Sequence, residues 1–296
     1  MWNPAPSETL EEQIDFFSWL YDKHKGFLSQ DDRRYFWGKG ISKSGLDGLR
    51  KSMDHYFKAH FKESDEMNLG LAFHCRILEP SKYDDRFLYY HKLDGRTEEG
   101  KKQAKRIEKR KEELRKKNKY QKILKMDDHE TVLGMEEALW NHPEAGPLFR
   151  DGGISEETVV WNNEKHGTLM KGKLDFRIPH EKVIIDLKTS SSAHIDDVTH
   201  TFRRGRLGVQ HAMYVDGVTA VTGESGWRFL FVFVETKKPY GIQIFELTEK
   251  TESKARDMYT NDIQVVIDWI KNAKSALNEQ RQMYTGYTTN IKLLDL

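Results

Sequence analysis

A chain of 296 residues is long enough for one large domain or two modest ones, and its formal net charge of +1 carries no information about partners until its distribution is read. The longest strongly apolar run, residues 229–234, is far too short to span a bilayer, so no membrane association is expected. Cys75 is the single cysteine, which excludes an internal disulfide and an iron–sulfur cluster held by four cysteines of this chain; the first twenty residues lack the basic start and apolar core of a secretory leader, so a reducing cytoplasm is the expected compartment.

In chain order, residues 8–65 read as mostly helical, with 42–44 as the N-cap of a helix through Leu46, Leu49, Met53 and Tyr56. Residues 68–78 form a second, apolar helix ended by Glu79 and Pro80. Residues 101–125 then hold thirteen Lys or Arg against Glu108, Glu112 and Glu113, as a basic helix or a mobile basic arm. From Thr131 the pattern is mixed: a helix over about 131–140, strands over 156–161, 168–178 and 182–188, a helix over 195–215, and strands over 227–235 and 241–247 joined by a turn at 237–241. A last helix, about 250–283, carries Ile263, Val266, Ile267, Ile270 and Leu277 at helical spacing. The expected class is α+β, a mixed central sheet flanked by helices, with a helical N-terminal region over 1–128 and a core over 129–296 packed as one compact unit.

The stretch 170–189 carries the most chemistry. Leu174, Phe176 and Ile178 alternate with Lys173, Asp175 and Arg177, the period-two pattern of a half-buried strand. Residues 183–187 form an apolar run interrupted by Asp186 and followed by Lys188. A two-residue loop at 180–181 and a four-residue loop at 179–182 give one register, which sets Asp175 opposite Asp186. Opposed side chains on a sheet face lie about 4.5–5.5 Å apart at Cβ, and like charges there are destabilising. A hard divalent cation, Mg²⁺ or Mn²⁺, removes that repulsion. Lys188 shares the face of Asp186 and is placed to approach a water or phosphate oxygen. The alternative is an exposed face whose charges are simply solvated.

Other residues gain meaning only if they converge on this hairpin. His74 sits on an otherwise apolar helix, as a hydrogen-bonded core histidine or as a metal ligand. Gln210 and Tyr214 stand four apart on one helix face, where Tyr214 is as easily a core residue. Arg203, Arg204 and Arg206 are solvated charges or phosphate contacts. Glu156 begins a strand too short for its face to be read. Lys101, Lys105, Lys109 and Lys116 can line one side of the basic helix, where phosphate neutralisation is independent of sequence.

Four segments, 41–57, 70–80, 172–190 and 208–217, together resemble the PD-(D/E)XK nucleases, and among them the exodeoxyribonuclease VIII-type (RecE-like) phage and prophage exonucleases; residues 286–294 extend the likeness weakly. The resemblance implies a restriction-endonuclease-like core. It further implies that His74, Asp175 and Asp186 are metal ligands, with the Leu187 backbone carbonyl completing the site and Glu156 aligning less securely. Lys188 takes the place of the motif lysine, Gln210 lies near the site, and Tyr214 contacts or supports DNA. The tail ends in Leu293, Leu294, Asp295 and Leu296 rather than in proline and tryptophan, and Cys75 alone sets the chain apart from the iron–sulfur branches of CRISPR adaptation and the AddB type.

The implied activity is Mg²⁺-dependent hydrolysis of linear double-stranded DNA from its 5′ ends, leaving 3′ strands for recombination. The implied partners are DNA ends, further copies of the chain in a closed ring, and a single-strand annealing protein, in a bacterial host cytoplasm if the gene belongs to a phage or prophage. The alternatives are an endonuclease or CRISPR-adaptation-like end-processing nuclease, and an inactive DNA-end-binding recombination accessory protein.

Overall fold

The computed structural model describes residues 9–28, 39–57, 64–116, 121–150 and 152–279. The last residues of the expected final helix, the tail 286–294, and Lys117 and Lys119 of the basic stretch lie outside them.

The chain enters through helix α1 (Leu10–Phe16), closed by a reciprocal capping box between Thr9 and Glu12. Strand β1 (Gly26–Leu28) is followed by α2 (Lys43–Leu49) and α3 (Met53–Phe57). Ser42 caps α2, its Oγ accepting from the Gly45 N–H at 3.2 Å. Helix α4 (Asp65–Leu78) starts on Ser64 in the same way and stops before Pro80. Then come α5 (Tyr83–Arg86), β2 (Phe87–Tyr90), α6 (Glu98–Lys116), β3 (Lys122–Lys125), α7 (Met126–Asn141) and α8 (Ala145–Leu148). The second half runs β4 (Ile154–Asn162), β5 (Leu169–Ile178), β6 (Val183–Ser190), α9 (Ile195–Gly205), α10 (Leu207–Thr222), β7 (Arg228–Glu235), β8 (Ile242–Glu246) and α11 (Glu249–Asn278).

Six strands form one mixed sheet in the order β1-β4-β5-β6-β7-β8. Its neighbours are antiparallel except β6 and β7, which are parallel and therefore need the helical crossover that α9 and α10 supply. One face packs on α10 and α11 through Phe229, Phe231, Phe233, Tyr214 and Ile263; the other packs on α4 and α7 through Val232, Ile185, Phe73 and Met135. Full burial of each such side chain contributes roughly 1.5–3 kcal/mol. The architecture is the α+β class read from the sequence, a mixed sheet flanked by helices.

Four local readings are corrected. Residues 8–65 are not all helical, because β1 becomes a strand by pairing with β4, more than a hundred residues away. β2 and β3, a separate parallel pair, were not anticipated; β3 lies within the basic stretch and buries Ile123 and Leu124. The helix expected over 195–215 is broken at Arg206, whose left-handed φ of 51° is held by ion pairs to Asp47 and Asp262. Leu174 and Phe176 do not share a face: Leu174 packs on the α10 side and Phe176 on the α4 side, across the point where Glu156 on the neighbouring strand adopts φ 55°. β5 is accordingly buried on both faces rather than half-buried.

Candidate metal centre at the open end of the hairpin

The β5–β6 register is the one read from the sequence: Phe176 pairs Ile185, Arg177 pairs Ile184 and Ile178 pairs Val183. The connection is the four-residue version, a 3₁₀ turn over Pro179–Glu181 closed by Lys182 at φ 55°. The described ladder ends one pair before Asp175 and Asp186. There the strands part, and Asp175 Oδ2 accepts from the Leu187 N–H at 2.9 Å. The open end of a hairpin thus exposes backbone and two carboxylates to side chains from both helical layers.

His74 arrives from α4, its Nδ1 3.7 Å from Asp175 Oδ2. Gly70, one turn earlier, permits the approach: a Cβ there would stand 2.9 Å from Thr189 Oγ1 on β6. Gln210 arrives from α10 and donates from Nε2 to Asp186 Oδ1. Glu156 arrives from β4, where the pairs Ser155–Phe176 and Glu157–Leu174 bracket it opposite Asp175. His74, Glu156 and Asp175 offer ligand atoms all within 4.8 Å of one another. Lys188 Nζ lies 2.5 Å from Asp186 Oδ2, on the face the period-two argument assigns it. Lys173 Nζ lies 2.5 Å from Glu156 Oε2.

Electrostatics follow from this crowding. Burial, and then the Asp186 charge, raise Asp175 well above the usual carboxylate range; Glu156 adds to the shift, and Lys188 and the Leu187 N–H oppose it. Burial and the Lys188 ammonium lower His74 to about 3, with Lys173 adding to the effect and a backbone hydrogen bond at Leu187 opposing it. His74 is therefore a neutral imidazole at pH 7, the form that binds metal. Burial disfavours the Lys188 charge, but Asp186 and Asp175 outweigh it and hold the ammonium above the ordinary lysine range. Lys188 is a permanent cation at neutral pH, suited to stabilising negative charge rather than to removing a proton. A left-handed φ at a non-glycine residue costs about 1–3 kcal/mol and is found where a site over-determines the backbone, and Glu156 is such a residue.

The donor set fits a hard divalent ion. Two carboxylates, Glu156 and Asp175, with one neutral imidazole, and Asp186 beside them, suit Mg²⁺ or Mn²⁺, and a cation would offset the burial and the Asp186 repulsion that raise Asp175. The Leu187 peptide lies between His74 and Asp175, bonded to both.

The remaining expected residues divide. Tyr214 is buried, its ring over Gly172, where a Cβ would come within 2.7 Å, so it packs against the sheet. Arg206 is likewise buried, its two terminal nitrogens paired with Asp47 and Asp262, which corrects its expected phosphate contact. Arg203 and Arg204 are exposed on α9, and Lys105 and Lys109 on α6. Lys173 was missed, although the reasoning that selected Lys188 two residues after Asp186 applies equally two residues before Asp175.

Residues 42–280, more than half of the chain, match the family described as a PDDEXK-like domain of unknown function, DUF3799. No curated protein matches the chain. Among solved structures, one described as a "putative exonuclease" from Eubacterium rectale aligns over 88% of this chain and 97% of its own, at 15% identity and a TM-score of 0.56, a likeness of fold. SSO0001 aligns over 75% of this chain and 85% of its own at 17% identity, with a TM-score of 0.29 that carries no argument. The family match over most of the chain, together with the Asp175/Asp186/Lys188 hairpin in its expected register, establishes that this protein belongs to the PDDEXK-like DUF3799 family, within the PD-(D/E)XK nuclease superfamily.

Proposed function

We propose that the protein is a Mg²⁺-dependent exodeoxyribonuclease that hydrolyses linear double-stranded DNA from its 5′ ends. The observation that carries the reading is the convergence of His74, Glu156 and Asp175 within 4.8 Å, next to the Asp186–Lys188 pair. Those ligands and the Leu187 carbonyl would hold a divalent ion, which supplies Lewis acidity to the scissile phosphate and to an attacking water. Lys188 neutralises charge that grows on the phosphate in the transition state, worth most in a site shielded from water. Gln210 fixes the orientation of Asp186, and His74 stays neutral, adding no positive charge against the metal. Arg203 and Arg204 follow β6 on an exposed helix and supply phosphate contacts along the duplex.

The exonuclease description of the Eubacterium rectale protein agrees with this reading, as does the sequence resemblance to RecE-like enzymes. On the same resemblance we propose a closed ring of copies around DNA and a single-strand annealing protein as partner. Time-resolved digestion of duplex labelled separately at its 5′ and 3′ ends, against covalently closed circles, with and without Mg²⁺, tests the activity. Early loss of the 5′ label from linear DNA and intact circles are expected. Circles cut as readily as linear duplex make the protein an endonuclease, and an intact linear substrate with both Mg²⁺ and Mn²⁺ makes it an end-binding protein.

A further inference from the structure

The geometry points to Lys173 as a built-in cation that occupies Glu156 in the metal-free protein and competes with the divalent ion for it, a role that rests on the reading of this cluster as a metal centre. Three observations carry it. Register places Glu156 directly opposite Asp175, two like charges across one strand pair, an arrangement that needs a counter-charge. Lys173, one step along the same side of β5, supplies one at 2.5 Å, with both side chains mostly sheltered, at 17% and 20% exposure. The same Glu156 is within 4.8 Å of the ligand atoms of His74 and Asp175, so the ion and the lysine serve one carboxylate.

The site thus contains two lysine–carboxylate pairs, Lys173–Glu156 and Lys188–Asp186, flanking Asp175. They differ in what the surroundings allow. Asp186 is almost fully buried and has Gln210 on its other oxygen, so its geometry is set whether or not Lys188 remains. Glu156 stands on a strained backbone at a disturbed point of the ladder, with Lys173 reaching it diagonally from the strand beside it. Asp186 is balanced by Lys188, so Lys173 is the charge that balances Glu156, and the binding of a divalent ion through Glu156 requires its displacement. Metal affinity is therefore set below what the ligands alone would give.

Titration of the metal-free full chain with Mn²⁺ by calorimetry tests this directly, without recourse to activity. Lys173→Gln and the near-isosteric Lys173→Met should each bind Mn²⁺ about tenfold more tightly than wild type, the scale of removing one unit charge beside a partly shielded site. Lys173→Arg, which keeps the charge, should bind as wild type does. In a Glu156→Gln background the gain from Lys173→Gln should shrink to less than about twofold, since the contested carboxylate is gone. Damage to the fold weakens binding, so a tightening cannot come from it. Unchanged or weaker affinity in both neutral variants, an undiminished gain in the Glu156→Gln background, or failure of both neutral variants to fold overturns the inference. Saturable wild-type binding with any of those outcomes leaves the metal centre standing, whereas no saturable binding in any variant removes the centre and the inference together.

Discussion

Asp186 is the residue on which the site depends most narrowly. It is 2% exposed, pairs with Lys188, and receives the Gln210 amide. Asp186→Ala should abolish Mg²⁺-dependent nucleotide release while leaving binding of DNA ends intact, measured by a filter or mobility assay beside the digestion. His74 makes a prediction in pH. Its folded value, about 3, lies below the ordinary 6.5, so the unfolded chain binds the proton more readily between those values. The stability this contributes is complete above pH 6.5 and is lost as pH falls toward 3. In metal-free protein, His74→Asn should recover about 2 kcal/mol of the stability that wild type loses between pH 7 and pH 4.5. Equal acid sensitivity in both proteins, followed by denaturant titration, counts against a neutral His74. Asp175 shifts the other way, so metal binding should weaken with acid at a midpoint above the ordinary carboxylate range, and Asp186→Asn should move that midpoint down. At this scale the β5–β6 register and the Lys188–Asp186 relation were legible in the residue spacing, but not the parting of the strands before Asp175 and Asp186 can pair. Glu156 was not legible in the same way, because its backbone departs from strand geometry at that very residue.

Elements deliver those side chains, and two contacts hold the delivering helix α10 in place. Arg206, between α9 and α10, ties their junction to Asp47 on α2 and Asp262 on α11, and Lys43 donates to the Gly205 carbonyl at 2.6 Å. Removing the guanidinium takes its partner from the nearly buried Asp262, whereas Asp47 keeps Lys43, so Arg206→Ala should cost about 3–5 kcal/mol in denaturant unfolding. Gly217, on the same helix, lies against the Trp161 ring of β4, which a Cβ would meet at 2.7 Å. Trp161 is 1% exposed and has nowhere to move, so Gly217→Ala should destabilise by about 1–3 kcal/mol. Arg206→Ala should also lower activity in the fraction that remains folded, because Gln210 is one turn beyond the junction. The sequence showed apolar periodicity across 195–215 without a break, since the break is made by partners on α2 and α11 that no local pattern reveals.

Across the whole molecule, a net charge near zero conceals segregation. Helix α6 carries nine basic and five acidic residues, with Lys105 and Lys109 among its exposed positions. Neutralised phosphates release counterions, so Lys105→Glu with Lys109→Glu should weaken DNA binding at every sequence and reduce the slope of log affinity against log salt by about two. An unchanged slope makes the helix a solvated face. Some of its charge is internally balanced, as in Lys101–Glu98 and Lys111–Glu108, which lowers the excess inferred from residue counting. The N-terminal region is joined to the core at both levels that matter here, β1 extending the main sheet and α4 carrying His74 to it. Among the described residues, no helix is long and apolar enough to cross a membrane.

By itself the sequence determined the α+β class, the hairpin with its register, and the pairing of two carboxylates with a lysine, because alternation and turn length are local properties that survive without knowledge of partners. The tertiary structure alone decided that β5 and β6 part just where those carboxylates lie, that α4 approaches closely enough at Gly70 for a neutral His74 to reach them, and that Glu156 and Lys173 join the cluster while Tyr214 and Arg206 turn inward. Each of those outcomes depends on contacts between residues far apart in the chain, where burial and opposing charge rather than local pattern set the conformation.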